Sequence, residues 1–175
     1  MKRIKVIAGA VAAAVFIICF VTVNTIYPAP IVTEAAMNEE VEVGGIAYTA
    51  LECTEMSREL ADKYYSGNRA KLGDDVTYLV KMHVKNVSNA VKKMSLGGFA
   101  IARNDYANFP DFTLFMDIND DDISLYLEKG EEKEFTLTFT IHQVNFTDKQ
   151  WQDIRNSKFR LVLSLHPQKT VINLS

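Results

Sequence analysis

Cysteine is scarce in this sequence: Cys19 and Cys53 are the two cysteines among 175 residues. Cys19 belongs to an apolar N-terminal run, so Cys53 has no bridging partner in the remainder of the chain. Small disulfide-rich domains use several bridges to compensate for a small core. The sequence therefore excludes a disulfide scaffold, and packing has to hold the fold. The alternating apolar stretch around Cys53 favours a buried, unreactive thiol over an exposed one that forms an intermolecular bridge.

Motifs that carry catalysis are also missing. The glycines include isolated pairs suited to turns or bulges but no phosphate-binding loop, and no serine lies in a nucleophile-elbow pattern. The histidines belong to different predicted strands, where single solvent-facing rings are expected rather than a shared metal site: His83, His142 and His166. We therefore expect no enzymatic activity, no catalytic residue and no cofactor, apart from one calcium pattern described below.

Charge is absent between Lys5 and Glu34. This uncharged run begins with the eighteen apolar or small residues VIAGAVAAAVFIICFVTV. A membrane-spanning helix needs about 20 apolar residues, whereas a cleavable signal has an apolar core of about 7–15. We therefore predict a basic cytoplasmic segment over residues 1–5 and a transmembrane signal-anchor over residues 6–27, with the remainder outside the membrane.

The same segment could instead be removed after export, which would give a secreted protein. Signal peptidase requires two small residues shortly after the apolar run, but here the run leads into Asn-Thr-Ile-Tyr-Pro. A retained anchor is therefore favoured over cleavage. A lipid anchor on Cys19 is disfavoured, because Ile18 and Phe16 stand where a lipoprotein signal has a small residue and a leucine.

The part of the chain beyond residue 27 is acidic. Residues 1–27 contain three of the 19 basic residues and none of the 22 acidic residues. The remainder therefore has 16 basic and 22 acidic residues and a formal charge of −6. Surfaces that bind nucleic acid or anionic lipid need excess positive charge. We therefore expect no nucleic-acid partner.

Beyond the apolar run, the composition changes twice. Residues 28–43 contain two prolines and the polar stretch TEAAMNEEVE, which predicts a juxtamembrane spacer. Residues 44–175 contain several stretches in which apolar and polar residues alternate, and their length suits one extracytoplasmic domain. In the clearest stretch, KEFTLTFTI, we predict that the threonines face solvent and that four apolar residues are buried: Phe135, Leu137, Phe139 and Ile141.

Other segments complete the predicted fold. FTLFMDI and FRLVLSL are further strand candidates, and residues 57–75 predict a short helix or a loop. TDKQWQDIRN predicts a helix, because Thr147 and Gln150 have capping-box spacing and Trp151 lies on its apolar face. Seven or more strands without a βαβ rhythm predict an all-β protein: an immunoglobulin-like antiparallel two-sheet sandwich with one or two short helical insertions, preceded by the N-terminal transmembrane helix.

The order of these segments resembles a known family. An export segment and an acidic spacer precede GGIAYTALECTEM, a long strand runs into the Lys-Asn turn of VTYLVKMHVKNVSNAVKK, and LEKGEEKEFTLTFTI and FRLVLSL follow. From Val41 to Ser175 this arrangement resembles the telokin-like, immunoglobulin-like extracytoplasmic domains of unknown function found in Gram-positive surface proteins and lipoproteins. The resemblance implies a two-sheet sandwich at the cell surface and implies no catalytic residues.

One acidic segment has the spacing of a calcium-binding loop. Asp117, Asn119, Asp121 and Glu128 stand at the first, third, fifth and twelfth positions of that pattern. Oxygen atoms at this spacing can converge on one Ca²⁺ ion. However, Asp122 replaces the glycine of the pattern, and the flanking segments are predicted strands instead of helices. A solvated acidic turn is therefore the favoured alternative.

Tyr64 and Tyr65 lie in the polar segment between Met56 and Asp75. Exposed tyrosines are enriched in recognition surfaces. We therefore predict that this segment is a binding loop and that the two tyrosines contact its ligand.

Together these features predict a non-enzymatic, membrane-anchored interaction domain of the bacterial cell envelope. Its expected location is the cell membrane, with a single pass and the C-terminal domain outside. Its expected partners are the membrane, through the N-terminal helix, and a protein or envelope ligand. The alternative is a structural or accessory subunit of a surface, transport or secretion complex without its own ligand site. An envelope hydrolase is disfavoured, because no nucleophile–base pair is recognisable.

Overall fold

The N-terminal segment forms a helix. The computed structural model describes residues 2–26, 31–65, 74–165 and 168–175, and the chain divides into two compact units, Met1–Ile31 and Val32–Ser175. The first unit contains α1 (Lys2–Ile26). Within the described ranges, no helix is both long enough and apolar enough to cross a membrane. The transmembrane part of the predicted signal-anchor is therefore unsupported.

The second unit is mostly β-structure. Its strands are β1 (Val32–Ala35), β2 (Val41–Val43), β3 (Ile46–Glu55), β4 (Val76–Asn86), β5 (Lys92–Ser95), β6 (Ala100–Arg103), β7 (Tyr106–Asn108), β8 (Ser124–Leu127), β9 (Glu132–Ile141), β10 (Arg160–Ser164) and β11 (Lys169–Asn173). Its helices are α2 (Arg58–Tyr65), α3 (Phe112–Asn119) and α4 (Asp148–Gln152), with single 3₁₀ turns at Leu96–Gly98, Gln143–Asn145 and Ile154–Asn156.

The strands form two main sheets and one short ribbon. The five-stranded sheet has the order β1-β11-β10-β6-β7, the four-stranded sheet has the order β2-β3-β4-β9, and β5 pairs with β8. Every described pair is antiparallel except β1 with β11, which is parallel. The predicted all-β sandwich is therefore confirmed as a mostly-β fold with several sheets and a few helices.

Side chains from both main sheets build one hydrophobic core. The predicted inward residues of β9 are at most 3 % exposed. They pack in the same cluster as Leu161 and Ile172 of the five-stranded sheet. The whole cluster lies between Ala35 and Leu174, within the second unit. The alternating pattern of β9 thus predicted its buried face correctly.

The outer edge of β9 is covered, which the sequence did not predict. Three main-chain carbonyls of β9 accept hydrogen bonds from the β7–α3 region: Thr140 from the Asn108 side chain (2.7 Å), Thr138 from the Asp111 main chain (2.8 Å), and Thr136 from the Asn119 side chain (3.0 Å). The prediction that the β9 threonines face solvent is therefore wrong for Thr138 and Thr140, which are at most 8 % exposed.

FTLFMDI was predicted as a strand but lies in α3. The Asp111 side chain caps this helix by accepting a hydrogen bond from the Leu114 main-chain N–H at 3.0 Å. Asp120 ends the helix in the left-handed conformation, with φ of 52°. Leu114 and Phe115 are both buried. A seven-residue apolar segment is ambiguous between strand and helix, and here the cap and the packing against β9 favour the helix.

The predicted spacer over residues 28–43 also differs from the structure. Its residues 32–35 form β1, which pairs with β11 from Lys169 to Ile172, and its residues 41–43 form β2, which pairs with β3. Ala35 and Val41 belong to the core. The domain therefore begins at Val32 instead of residue 44. The signal for these strands is weak because both are short edge strands with polar, exposed positions.

Candidate binding cleft

A cleft of about 460 Å³ lies at the end of the four-stranded sheet where β3 ends and β4 begins. We call it the Trp151 cleft. It is lined by both ends of the segment predicted as a binding loop, and by residues that follow β9. Among its lining residues are Glu55, Arg58, Asp75, Gln143, Trp151 and Arg155.

Glu55 and Arg155 form one side of the cleft. The Arg155 Nε and Nη2 atoms donate to the two Glu55 carboxylate oxygens at 2.8 and 2.9 Å, so the contact is bidentate. The hydrogen bond to Glu55 is the main cause that raises the pKa of Arg155. Both side chains are well exposed, at 61 % and 40 %, so the pair contributes little to stability. Its main effect is to hold two charged planar groups in a fixed orientation.

Asp75 joins the start of β4 to the segment after β9. Its carboxylate accepts a hydrogen bond from the Gln143 main-chain N–H at 2.9 Å. The other carboxylate oxygen lies 2.8 Å from Nδ1 of His142. Asp75 thus holds the start of the 3₁₀ turn Gln143–Asn145, and Gln143 lines the cleft.

Trp151 is held by α4 and by neighbouring aromatic rings. The predicted capping box is present: the Thr147 hydroxyl accepts from the Gln150 main-chain N–H, and the Gln150 side chain accepts from the Thr147 main-chain N–H. The Phe146 ring lies 5.8 Å from Trp151 and 4.8 Å from Tyr106. Trp151 is half-buried and packs against the core, while part of its indole remains available to the cleft.

The two remaining charged groups of the cleft have no partner in the described part of the chain. Arg58 lies in the first turn of α2, and Asp74 precedes β4. Neither makes a hydrogen bond or an ion pair there. Among the described residues, the cleft therefore offers a guanidinium group and a carboxylate without ionic partners, together with an aromatic surface. This combination suits a ligand that carries both polar and apolar groups.

The predicted binding residues Tyr64 and Tyr65 lie at the end of α2, the helix that lines the cleft through Arg58 and Ala61. Both are half-buried instead of fully exposed. Lys63 Nζ lies 4.8 Å from the centre of the Tyr64 ring. The Tyr65 hydroxyl is buried and has no hydrogen-bond partner among the described residues. The remainder of the predicted loop, residues 66–73, lies outside the described residues.

Two of the four predicted calcium ligands, Asn119 and Asp121, are engaged in other contacts. Asp117 and Asn119 lie on α3, where Asn119 bonds the edge of β9. The Asp121 carboxylate forms an ion pair with Lys133, and Glu128 follows β8. Within residues 2–26, 31–65, 74–165 and 168–175, no group of three or more acidic, histidine or cysteine side chains is arranged to hold a metal ion.

Sequence reasoning missed most of the cleft. Glu55 and Arg155 are 100 positions apart, and Asp75 and His142 are 67 apart. No short sequence pattern connects the two members of either pair. Trp151 and its capping box could be found, because they depend on spacing within one short helix.

Comparisons with known proteins identify a family and several similar folds for the second unit. The model of DUF5028, a domain of unknown function, matches residues 34–170. No curated protein matches the chain. The crystal structure of the YjhA protein from Bacillus subtilis has a TM-score of 0.52 at 12 % identity, and covers 81 % of this chain and 99 % of its own. A conserved hypothetical protein from Bacillus anthracis has a TM-score of 0.53 at 16 % identity, and covers 81 % and 95 %. These similarities show a shared fold.

Proposed function

We propose that this chain, which belongs to the DUF5028 family, is a non-enzymatic interaction domain of the bacterial cell envelope that binds a protein or envelope ligand in the Trp151 cleft. The observation that carries the proposal is the fixed arrangement around Trp151. A partly accessible indole lies beside an oriented Glu55–Arg155 pair and two further charges, Arg58 and Asp74, which have no ionic partner among the described residues. Aromatic and arginine side chains in such surroundings are typical centres of binding energy.

The envelope location is supported by the sequence. Three basic residues precede an uncharged run of 28 residues, and this order is typical of export segments. The segment order also supports kinship with the telokin-like, immunoglobulin-like extracytoplasmic domains. In this proposal the N-terminal segment delivers the second unit to the outside and, when retained, tethers it to the membrane.

Protease treatment of intact host cells without an outer membrane tests the location. We expect external protease to degrade residues 32–175, while a cytoplasmic marker stays intact. A membrane-bound stub would indicate a retained anchor, and release of the domain into the medium without protease would indicate a cleaved signal. A full-length protein that becomes sensitive only after lysis would overturn the extracytoplasmic location. A chain lacking residues 1–26 is the control and should stay inside.

Site-directed photo-crosslinking in living cells tests the cleft. A photoreactive phenylalanine analogue replaces Gln143 in the cleft or, as the control, Lys129 at the opposite end of β4 and β9. We expect a defined crosslinked product from position 143 and none from position 129, and Trp151→Ala should remove this product. Equal products from both positions, unaffected by Trp151→Ala, would instead favour an accessory subunit that contacts its complex over other surfaces.

A further inference from the structure

A second polar cavity, of about 490 Å³, lies on the five-stranded sheet. It is lined by Asn104, Lys158, Arg160, Asn173 and Ser175. No carboxylate side chain of the described residues contributes to this lining. We call it the Arg160 cavity. Its positive side chains stand out because the chain beyond the N-terminal segment has an excess of acidic residues.

Strand geometry brings the cationic groups together. Lys158 and Arg160 flank Phe159, which is buried in the core at 4 % exposure. Because side chains alternate along an extended segment, Lys158 and Arg160 lie on the side opposite to Phe159, with Cα atoms about 6.5–7 Å apart. The Leu174 main-chain N–H donates to the Phe159 carbonyl at 3.0 Å and keeps this segment against the end of β11.

Two amide side chains complete the cavity. Asn173 is the register partner of Arg160 on β11, so the two side chains are neighbours on one face of the sheet. Asn104 lies in the β6–β7 turn with φ of 49°, a conformation that asparagine tolerates better than most residues. Each amide can donate two hydrogen bonds. The cavity therefore combines two positive charges with further donors.

The two cationic side chains have no anionic partner in the described part of the chain. Three other lysines of the second unit do pair with carboxylates: Lys81 with Glu134, Lys85 with Glu132 and Lys133 with Asp121. Lys158 and Arg160 make no such pair among the described residues. Arg160 is also half-buried, so its guanidinium is only partly hydrated. An anion bound beside it would interact more strongly than at a fully exposed side chain.

From this arrangement we infer that the Arg160 cavity is a binding site for a phosphate monoester. A phosphate monoester carries a charge of about −1.5 to −2 near neutral pH, which matches the two cations. The planar guanidinium of Arg160 can donate two parallel hydrogen bonds to phosphate oxygens, and Lys158 supplies a second positive charge. The two asparagine amides orient the remaining oxygens. A phosphate diester has a single negative charge and binds more weakly.

Titration of the full-length chain in a non-ionic detergent, monitored by amide NMR shifts, tests this site. The probes are inorganic phosphate, glycerol 3-phosphate and the diester glycerophosphoglycerol. We expect the two dianions to shift the amides of residues 103–105, 158–160 and 172–175 saturably. The diester should bind at least about fivefold more weakly, and added salt should weaken all binding. Equal affinity for the diester, or no saturable shift in these residues at tens of millimolar phosphate, would overturn the inference.

Charge-neutralising variants separate this site from general electrostatics. Arg160→Gln should weaken phosphate binding about tenfold or more, and Lys158→Gln about threefold, with unchanged melting temperatures. Lys129→Gln makes the same charge change in the exposed β8–β9 turn and should have no effect. Equal losses in all three variants would contradict a defined site. Ser175 also lines the cavity, and a terminal carboxylate on this residue would repel phosphate. A chain lengthened by Gly-Ser has no such carboxylate at Ser175 and should therefore bind phosphate at least as tightly. Weaker binding would also count against the site.

Discussion

Asn119 and Thr136 exchange two hydrogen bonds across the edge of β9. The Asn119 Nδ2 atom donates to the Thr136 carbonyl at 3.0 Å, and the Asn119 Oδ1 atom accepts from the Thr136 main-chain N–H at 2.7 Å. A neighbouring strand would bond an edge residue in the same way. Nδ2 also donates to the Phe115 carbonyl within α3 at 2.8 Å. This single side chain thus attaches α3 to the sheet and protects its edge from pairing with another chain.

Replacing Asn119 by alanine should lower the free energy of unfolding by about 2–3 kcal/mol. The variant removes both bonds to Thr136 and leaves a partly buried donor and acceptor on β9 without partners. Urea unfolding followed by circular dichroism measures the change. Met116→Ala on the exposed side of the same helix is the control and should cost less than about 1 kcal/mol. Equal losses in the two variants would mean that Asn119 contributes only through helix propensity.

Calcium should leave the melting temperature unchanged. The Asn119 side chain is occupied by β9, and Asp121 pairs with Lys133, so these two predicted ligands are already engaged. A ligand that binds only the native state would raise the melting temperature by mass action. Differential scanning fluorimetry with millimolar CaCl₂, followed by excess chelator, provides the measurement. A saturable rise of several degrees that Asp121→Ala abolishes would instead support a calcium-binding loop at these residues.

Phe139→Ala should destabilise the domain by about 3–5 kcal/mol. Phe139 is completely buried, and truncation of a buried aromatic side chain leaves a cavity in addition to the lost burial. Val144, at 89 % exposure, provides a control of the opposite kind. Val144→Ala should change stability by less than about 0.5 kcal/mol. Similar unfolding midpoints for the two variants in urea would show that the inward register of β9 is incorrect.

Cys53 should react slowly with alkylating reagents in the folded protein. Burial raises the pKa of its thiol from an ordinary value of 9.0 to about 11, so the reactive thiolate is scarce at pH 8. Because the folded state keeps this proton longer than the unfolded state, the associated stability is present below pH 9 and is lost between about pH 9 and 11. Iodoacetamide labelling in a Cys19→Ala background measures the rate. Equal rates with and without urea would contradict burial of the thiol.

Local sequence patterns correctly predicted one buried strand face and one helix cap. The alternation in KEFTLTFTI identified the buried face of β9, and the spacing of Thr147 and Gln150 identified the cap of α4. These predictions succeed because a strand or a capped helix turn is specified by residues within a few positions of one another. The number and positions of the cysteines separately excluded a disulfide scaffold.

The parts that depend on distant contacts were decided by the tertiary structure. FTLFMDI forms α3 because its cap and its buried side chains fit beside β9, although its composition also suits a strand. Residues 32–35 become a strand through parallel pairing with β11, more than 130 positions away. Short apolar segments and edge strands have little preference of their own, so the available partner determines their conformation.

The candidate sites also combine features that the local sequence predicts with features that only the tertiary structure decides. Trp151 could be singled out from its helix, but the Glu55–Arg155 pair beside it joins residues 100 positions apart. Arg160 and Asn173 become neighbours only through the register of β10 and β11. The sequence by itself determined the acidic charge, the absence of a disulfide framework and the alternating strands. The tertiary structure alone decided which side chains share a cleft, because strand register and sheet order bring together residues that no local pattern connects.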